Sequence, residues 1–293
     1  MIARDARLTE NPLTGRIGAE IEGIDLGQPI TDDVAAALRD ALARRLVLVV
    51  RDQFIDIAQQ KTLTRVFGPL ARSTYIEGMP DDPYVIRVLK QADETGGVFG
   101  GAWHSDLSFL EQPPAGSVLS AVEVPPYGGD TLWANQAAAW EALPADLSAL
   151  LDGRDAVHVG KPHGVKWAPP MAERMTGPIR IVRDDPKADE ERFHPAVLTH
   201  PVTGRRSLYV NPIYVTRFDG LTEAESRPVL DRLYAHVTRP EFCCRLRWRP
   251  GTVTVWDNYS TLHYAVNDYA GFHRLMYRTT FSGQPIAAWR RAA

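Results

Sequence analysis

The stretch Trp103-His104-Ser105-Asp106 decides how this chain folds and functions, together with a second histidine, His263, far downstream. On a β-strand, residues two apart point to the same side, so the His104 imidazole and the Asp106 carboxylate can bind one ion. The second imidazole then completes one face of an octahedral metal and leaves three adjacent positions open. This 2-His-1-carboxylate arrangement is typical of non-heme Fe(II) oxygenases, which bind a cosubstrate and O2 at the open positions.

The second histidine follows a segment with the pattern of a buried strand. Residues 252–256 are β-branched and apolar, and Asp257-Asn258 after them is turn-like. We therefore expect His263 to lie on a loop just after this strand, where it can meet the first pair. The chain has eight histidines, so a His-x-Asp pair by itself is weak evidence, and a surface or structural pair is the competing interpretation.

Composition limits the classes of function. The chain has 293 residues and a formal net charge of -3, with 44% hydrophobic and 24% charged residues. The slightly negative net charge gives no indication of a basic surface for nucleic acid. No apolar run is long enough for a transmembrane helix. The N-terminus lacks the apolar core of a signal peptide, and the only cysteines, Cys243 and Cys244, are adjacent. We expect a cytoplasmic protein that binds neither nucleic acid nor a membrane.

Periodicity predicts a mainly β protein with flanking helices. Capping residues mark helices that begin after Thr31 and after Thr222. Further helices are predicted at residues 57–67 and at residues 136–151, the latter interrupted by Pro144. Strands are predicted at residues 46–50, 83–88, 117–124, 252–256 and 274–281.

The order of these elements favours one antiparallel barrel or sandwich decorated by helices. No repeat or linker divides the chain, so residues 1–293 are expected to form a single domain. Residues from about 157 to 195 are rich in charged residues, proline and glycine and show little periodicity. Because long loops in compact enzymes are usually lids or binding loops, a lid insertion is predicted there, and a solvated insertion without a role is the alternative.

Two arginines, Arg274 and Arg278, lie four residues apart on the last predicted strand, which puts both on one face. Buried cations need anionic partners, and arginine binds a carboxylate through two parallel hydrogen bonds. Upstream, Gly128-Gly129 predicts a tight turn that can aim the Thr131 hydroxyl inward. Surface arginines on an edge strand and an ordinary hairpin turn are the competing interpretations.

With these motifs in view, the chain resembles, nearly end to end, the taurine dioxygenase / 2,4-dichlorophenoxyacetate dioxygenase family of Fe(II)- and 2-oxoglutarate-dependent oxygenases. The resemblance begins at Pro12-Leu13-Thr14-Gly15 and is strongest at residues 103–106, 128–131, 208–211 and 256–265. Segments 208–226 and 244–280 look most similar to the aryloxypropionate dioxygenases of the family. The resemblance implies a double-stranded β-helix, also called a jelly roll.

The resemblance also implies roles for residues that match the family's motifs. Arg274 would hold the far carboxylate of 2-oxoglutarate, helped by the hydroxyl of Thr131. Arg278 matches the position that meets the anionic end of the primary substrate. The cofactors implied are Fe(II), 2-oxoglutarate as cosubstrate and O2. The iron ligands, and so the catalytic residues, would be His104, Asp106 and His263.

The chain departs from the taurine enzyme where that enzyme binds the amine of its substrate. Gly100 replaces a polar asparagine, and Ala71-Arg72-Ser73-Thr74-Tyr75 replaces a stretch with histidines, although its arginine is a candidate second cation. We expect Phe99, Phe109 and Tyr214 to line a more apolar substrate pocket. The predicted reaction is hydroxylation of a C–H bond in a small organic anion (an arylalkanoate, alkylsulfonate or alkyl sulfate), with release of succinate and CO2.

Three other interpretations stay open from the sequence. One is a hydroxylase of the same iron class that acts on an amino acid or a biosynthetic intermediate. A second is a non-catalytic, cupin-like binding protein with a vestigial metal site. A zinc hydrolase is less favoured, because paired arginines would have no use there and no general base lies nearby in sequence. A homo-oligomer is expected in each case.

Overall fold

Among the residues that the structure describes, most of the regular backbone is paired into four β-sheets. The computed structural model describes residues 8–167, 178–200 and 202–286. The strands in these residues are β1 (Thr9–Pro12), β2 (Ala19–Glu22), β3 (Val47–Val50), β4 (Leu70–Ala71), β5 (Val85–Lys90), β6 (Pro114–Glu123), β7 (Thr131–Asn135), β8 (Asp155–His158), β9 (Arg192–Pro195), β10 (Val197–Thr199), β11 (Arg206–Leu208), β12 (Val215–Phe218), β13 (Cys243–Leu246), β14 (Val253–Asp257), β15 (Thr261–Ala265) and β16 (Arg274–Ser282). The α-helices are α1 (Asp32–Arg45), α2 (Ile57–Phe67), α3 (Gln136–Glu141), α4 (Ala145–Leu151) and α5 (Glu223–Val237).

The largest sheet separates two hydrophobic clusters. Its order is β1-β2-β3-β14-β6-β16-β4, with β5 also paired to β16. Side chains alternate across each strand, so Trp256 and Met276 face the interior while Val255 faces the other side. On that other side, Leu38 of α1 and Leu63 of α2 pack against the sheet. The helices therefore cover one face and leave the opposite face for a second sheet.

A smaller sheet with the order β13-β7-β15 lies against this inner face. Trp133 of β7 contacts Trp256 of β14, with ring centroids 6.0 Å apart. Both belong to one buried cluster between the sheets. The predicted jelly roll with flanking helices is confirmed, and the space between its two sheets is where the candidate site lies.

The remaining helices cover the outer face of the smaller sheet. Leu230 and Leu233 of α5 pack in one cluster with Leu262 of β15. The capping signals at Thr31 and Thr222 are confirmed, since both side chains accept a backbone N–H at the first helical turn. The predicted helix 136–151 is two helices, with Pro144 at the N-terminus of the second. No helix among the described residues combines the length and apolarity needed to cross a bilayer.

Two expectations about local structure are wrong. His263 lies on a strand, β15, where it is paired with Trp133 of β7, and not on a loop. The stretch 157–195 is not one continuous loop, because its ends lie in β8 and β9, which pair antiparallel with each other. Residues 168–177 of the predicted insertion lie outside the described residues, so its role as a lid stays a prediction.

Candidate active site

The loop that carries His104 is tied directly to the strand that carries His263. The two residues form an isolated antiparallel bridge, in which the His104 N–H donates to the His263 carbonyl at 3.1 Å and the reverse bond is 2.8 Å. The Ser105 hydroxyl donates to the Thr261 carbonyl at 2.8 Å. Asp106 follows in a turn, so the expectation that it shares a regular strand with His104 is wrong. The backbone bridge nevertheless puts both histidines beside the carboxylate.

Asn258 fixes the backbone of Asp106. Its side-chain oxygen accepts from the Asp106 N–H at 2.7 Å, and its amide donates to the Asp106 carbonyl at 3.0 Å. The same amide donates to the Pro114 carbonyl at 2.8 Å. Asn258 is fully buried, so these bonds do not compete with water. Sequence analysis assigned no role to this asparagine, although it noted the turn-like Asp257-Asn258 before His263.

The three predicted metal ligands converge. The ligand atoms of His104, Asp106 and His263 lie within 4.8 Å of one another, and all three residues are buried. Nε2 of each histidine is 3.6 Å from the Asp106 Oδ1. The His104 Nδ1 lies 2.7 Å from the Ala102 carbonyl, to which it can only donate, so in the neutral tautomer Nε2 carries the lone pair. The donor set, two imidazoles and one carboxylate, fits Fe(II).

The charge states also suit a metal. Burial by itself raises the pKa of the Asp106 carboxyl, but the guanidinium of Arg278 and the two imidazoles outweigh it and hold that pKa well below its usual range. Burial, followed by the neighbouring His104, lowers the pKa of His263 well below its ordinary value. The carboxylate is therefore anionic and the His263 imidazole neutral, which are the forms that coordinate a metal ion.

Arg274 and Thr131 line a common cavity with both histidines. Arg274 is buried, and its Nε has no hydrogen-bond partner among the described residues. The Thr131 Oγ1 accepts from the Trp248 indole N–H at 3.0 Å, which leaves the threonine proton free to donate. A buried cation and a free hydroxyl donor fit a carboxylate, as 2-oxoglutarate requires.

A larger, mostly apolar cavity of about 460 Å³ is lined by two of the ligands, His104 and Asp106. Two of the predicted substrate residues, Phe99 and Tyr214, line it. Phe109 does not: it is buried behind Tyr214, with ring centroids 5.0 Å apart, and it packs on Gly160, where a Cβ would come within 2.5 Å of its ring. The expectation that Phe109 lines the substrate pocket is therefore wrong, because its apolar ring fills the layer behind that pocket.

The cavity also holds polar groups that the sequence did not single out. His163 and Arg183, from the ends of the predicted lid insertion, line it. Burial lowers the pKa of His163 to about 4, and its Nδ1 lies 3.0 Å from the Val182 carbonyl. The Arg183 guanidinium donates to the Pro162 carbonyl at 2.9 Å. The only signal in the sequence was their position in a charged, aperiodic stretch.

Arg278 lies against the metal ligands and lines both the cavity of Arg274 and a further cavity of about 190 Å³. Its guanidinium forms a buried ion pair with the Asp106 Oδ2 and donates to the Ser117 hydroxyl at 2.8 Å. Arg72 and Leu107 line the same cavity. The structure thus brings the two predicted cations, Arg278 and Arg72, to one space beside the metal ligands.

A jelly roll that encloses two imidazoles and a carboxylate, with a buried arginine and a threonine hydroxyl beside them, defines the class of metal-dependent oxygenases that use a 2-oxoacid cosubstrate. Comparison with known proteins agrees. The model of the family "Taurine catabolism dioxygenase TauD, TfdA family" matches residues 9–280. The chain belongs to this family and is a 2-oxoglutarate-dependent oxygenase that uses Fe(II), 2-oxoglutarate and O2.

Two curated relatives and one crystal structure illustrate the similarity. The alpha-ketoglutarate-dependent sulfate ester dioxygenase of Pseudomonas putida is 36% identical over 281 residues, which cover 94% of this chain and 90% of that protein. An alkylsulfatase of Acinetobacter baylyi is 34% identical, with 93% and 84% covered. A taurine dioxygenase from Burkholderia xenovorans superimposes with a TM-score of 0.77 at 34% identity, with 94% and 91% covered.

Proposed function

We propose that the enzyme oxidises an alkyl sulfate ester at the carbon bonded to the ester oxygen. One observation carries this proposal: a cavity that holds two arginines and a larger, mostly apolar cavity meet at Asp106. Arg278 and Arg72 line one of them, and mostly apolar side chains line the other. Asp106 and Leu107 line both. A ligand that fills both cavities has an anionic end and an apolar body, and the carbon that joins them lies beside the metal ligands.

The relatives from Pseudomonas putida and Acinetobacter baylyi support the choice of a sulfate ester among organic anions, since their names refer to sulfate ester and alkylsulfatase activity. Taurine is disfavoured because Gly100 and Ala71 offer no polar side chain to its amine. An apolar cavity of about 460 Å³ suits a hydrocarbon chain longer than that of taurine.

Each residue then has a defined part in catalysis. Bound Fe(II), with 2-oxoglutarate and O2, supplies the oxidation of the C–H bond. His104, Asp106 and His263 hold the iron from one side. Arg274 and Thr131 bind the distal carboxylate of 2-oxoglutarate and so fix its orientation. Arg278 and Arg72 bind the sulfate group, and Phe99 and Tyr214 exclude water and orient the chain.

The overall reaction balances without a further reactant. R–CH2–OSO3⁻, 2-oxoglutarate and O2 give R–CHO, HSO4⁻, succinate and CO2. One oxygen atom of O2 enters succinate and the other enters the substrate carbon. The resulting hemiacetal-like sulfate then loses HSO4⁻ and becomes the aldehyde. Release of sulfate therefore follows from oxidation of carbon and needs no hydrolytic base.

A substrate panel tests the proposal. Purified enzyme with Fe(II), 2-oxoglutarate and O2 is given octyl sulfate, ethyl sulfate, taurine, an alkylsulfonate, 2,4-dichlorophenoxyacetate and free amino acids, and succinate and oxidised product are measured together. We expect octyl sulfate to give succinate, aldehyde and sulfate in equal amounts. Coupled turnover of an arylalkanoate, alkylsulfonate or amino acid, with octyl sulfate giving none, would contradict it.

The cationic cavity has a separate test. Arg72→Met is expected to raise the KM for octyl sulfate by about fivefold, because an exposed charge pair contributes up to about 1 kcal/mol. The matched control, Arg227→Met, removes an exposed arginine on α5 that pairs with Asp231, and it should leave that KM unchanged. If both variants raised the KM for octyl sulfate equally, the cause would be the change in net charge alone.

A further inference from the structure

Lys90 is a buried lysine at the end of β5 that has no part in the roles above. Lys90 is only 8% exposed, although lysine is almost never buried unless it is paired with an anion. Its Nζ has one long contact, 3.5 Å to the Gln91 carbonyl. Among the described residues, no carboxylate oxygen lies within 4.0 Å of this ammonium group. A buried cation of this kind calls for an anion.

The strand register places this ammonium beside Arg274. Lys90 of β5 is the direct antiparallel partner of Arg274 of β16, so the two side chains leave the same face of the sheet. Val88, two residues earlier on that face, lines the cavity that holds Thr131 and both histidines. Lys90 is therefore the next inward-facing residue along β5, at the end of the cavity away from Arg278.

A second cavity shows that the two cations reach a common space. Lys90 and Arg274 line it together, along with Tyr269 and Glu94, whose carboxylate lies more than 4.0 Å from both cations. The Lys90 Nζ is 5.0 Å from the Tyr269 ring centroid, and the Arg274 Cζ is 5.9 Å from the same centroid. The aromatic ring stabilises both cations in part, but a ring does not replace a carboxylate as the partner of a buried charge. Two cations at one ring indicate a binding site for an anion.

We propose that Lys90 is a second cation that binds the distal carboxylate of 2-oxoglutarate, beside Arg274. This proposal rests on the assignment of Arg274 and Thr131 to that carboxylate. An ammonium and a guanidinium at the far end of the cavity select 2-oxoacids that end in a second carboxylate. They would not change the binding of the 2-oxo acid end of the cosubstrate, which faces His104 and His263.

Binding measurements on the Mn(II)-loaded enzyme test the role of Lys90 without turnover. Isothermal titration calorimetry compares 2-oxoglutarate with 2-oxovalerate, which has the same five-carbon chain and 2-oxo acid end but no distal carboxylate. Lys90→Met is expected to weaken 2-oxoglutarate binding about tenfold and to leave 2-oxovalerate binding unchanged. Lys90→Arg keeps the charge and is expected to retain most of the wild-type affinity for 2-oxoglutarate.

The 2-oxovalerate titration also controls for folding. An equal loss of affinity for both ligands in Lys90→Met would overturn the proposal and make Lys90 a structural cation held by Tyr269. Unchanged affinity for both ligands would overturn it as well. Arg274→Met is tested in parallel. If this variant loses no affinity specific to 2-oxoglutarate, the assignment of Arg274 to the distal carboxylate fails. A selective loss of 2-oxoglutarate affinity in Lys90→Met supports the role of Lys90 whatever the result for Arg274.

Discussion

At the scale of single residues, the two oxygens of Asp106 have different partners. Its Oδ1 faces the two imidazoles, its Oδ2 is paired with Arg278, and all three partners are buried. Without a metal, the guanidinium is the main compensation for the buried carboxylate. Removal of one member of a buried pair typically costs about 3–5 kcal/mol, because it leaves an uncompensated charge. Arg278 therefore stabilises the metal site before the ion arrives.

We expect Arg278→Met to lower the free energy of unfolding of the metal-free protein by roughly 3–5 kcal/mol. Mn(II) should restore more stability to this variant than to the wild type, because the ion replaces the lost positive charge. Urea denaturation with a chelator or with Mn(II) measures both effects. The exposed pair Arg227–Asp231 is the control, and Arg227→Met should change stability by less than about 1 kcal/mol. Similar losses in the two variants would argue against the buried pair as the cause.

The hydroxyl of Thr131 gives a second prediction at this scale. Because Oγ1 already accepts from Trp248, its proton is available to a carboxylate. Thr131→Val should weaken 2-oxoglutarate binding to the Mn(II)-loaded enzyme by at least about tenfold, since a hydrogen bond to a charged group contributes about 1.5–3 kcal/mol. Thr131→Ser keeps the hydroxyl and should bind nearly as well as the wild type. If serine and valine are equally weak, the methyl group and not the hydroxyl matters.

At the scale of elements, the sequence predicted those parts of the fold whose signals are local. The capping residues Thr31 and Thr222 mark the starts of α1 and α5, and the alternation from Arg274 onward marks β16. The metal ligands were predicted from residue type and spacing. Strand β15 was missed, because its partner β7 is remote in sequence and pairing of this kind leaves no local signal. The position of Phe109 behind the substrate cavity is likewise a property of packing.

The ends of the predicted insertion carry a prediction about pH. Burial lowers the pKa of His163 to about 4, below the value near 6.5 of an unfolded chain. Between these two values the unfolded state binds more protons, so the contribution of His163 to stability is complete above about pH 6.5 and is lost as the pH falls toward 4. Thermal unfolding of His163→Phe should show a smaller fall in Tm between about pH 7 and about pH 5 than the wild type. An identical fall in Tm in both proteins would show that groups other than His163 control stability between about pH 5 and about pH 7.

At the scale of the whole molecule, the hydrophobic clusters share their strands. The largest sheet has one cluster on each face, and the smaller sheet joins the inner cluster to the one beneath α5. Loss of one cluster therefore removes support from the next. The single domain predicted for residues 1–293 is still a prediction, as is the homo-oligomer, which analytical ultracentrifugation of the purified protein would check.

We expect calorimetry to show one cooperative unfolding transition. Mn(II) with 2-oxoglutarate at about 100 times its dissociation constant should stabilise the folded state by about 2.7 kcal/mol and raise the Tm by roughly 4–5 °C. N-oxalylglycine, which resembles 2-oxoglutarate but is not turned over, provides the comparison. Two separate transitions, of which only one responds to the ligands, would contradict the single domain.

The backbone bridge between the two histidines has a consequence for the identity of the ion. Because main-chain hydrogen bonds join His104 to His263, folding alone brings the two metal-binding histidines side by side, before any ion is bound. The usual affinity order of divalent metals at such donors places cobalt, nickel and copper above ferrous iron. The supply of iron in the cell therefore contributes to correct loading of this site.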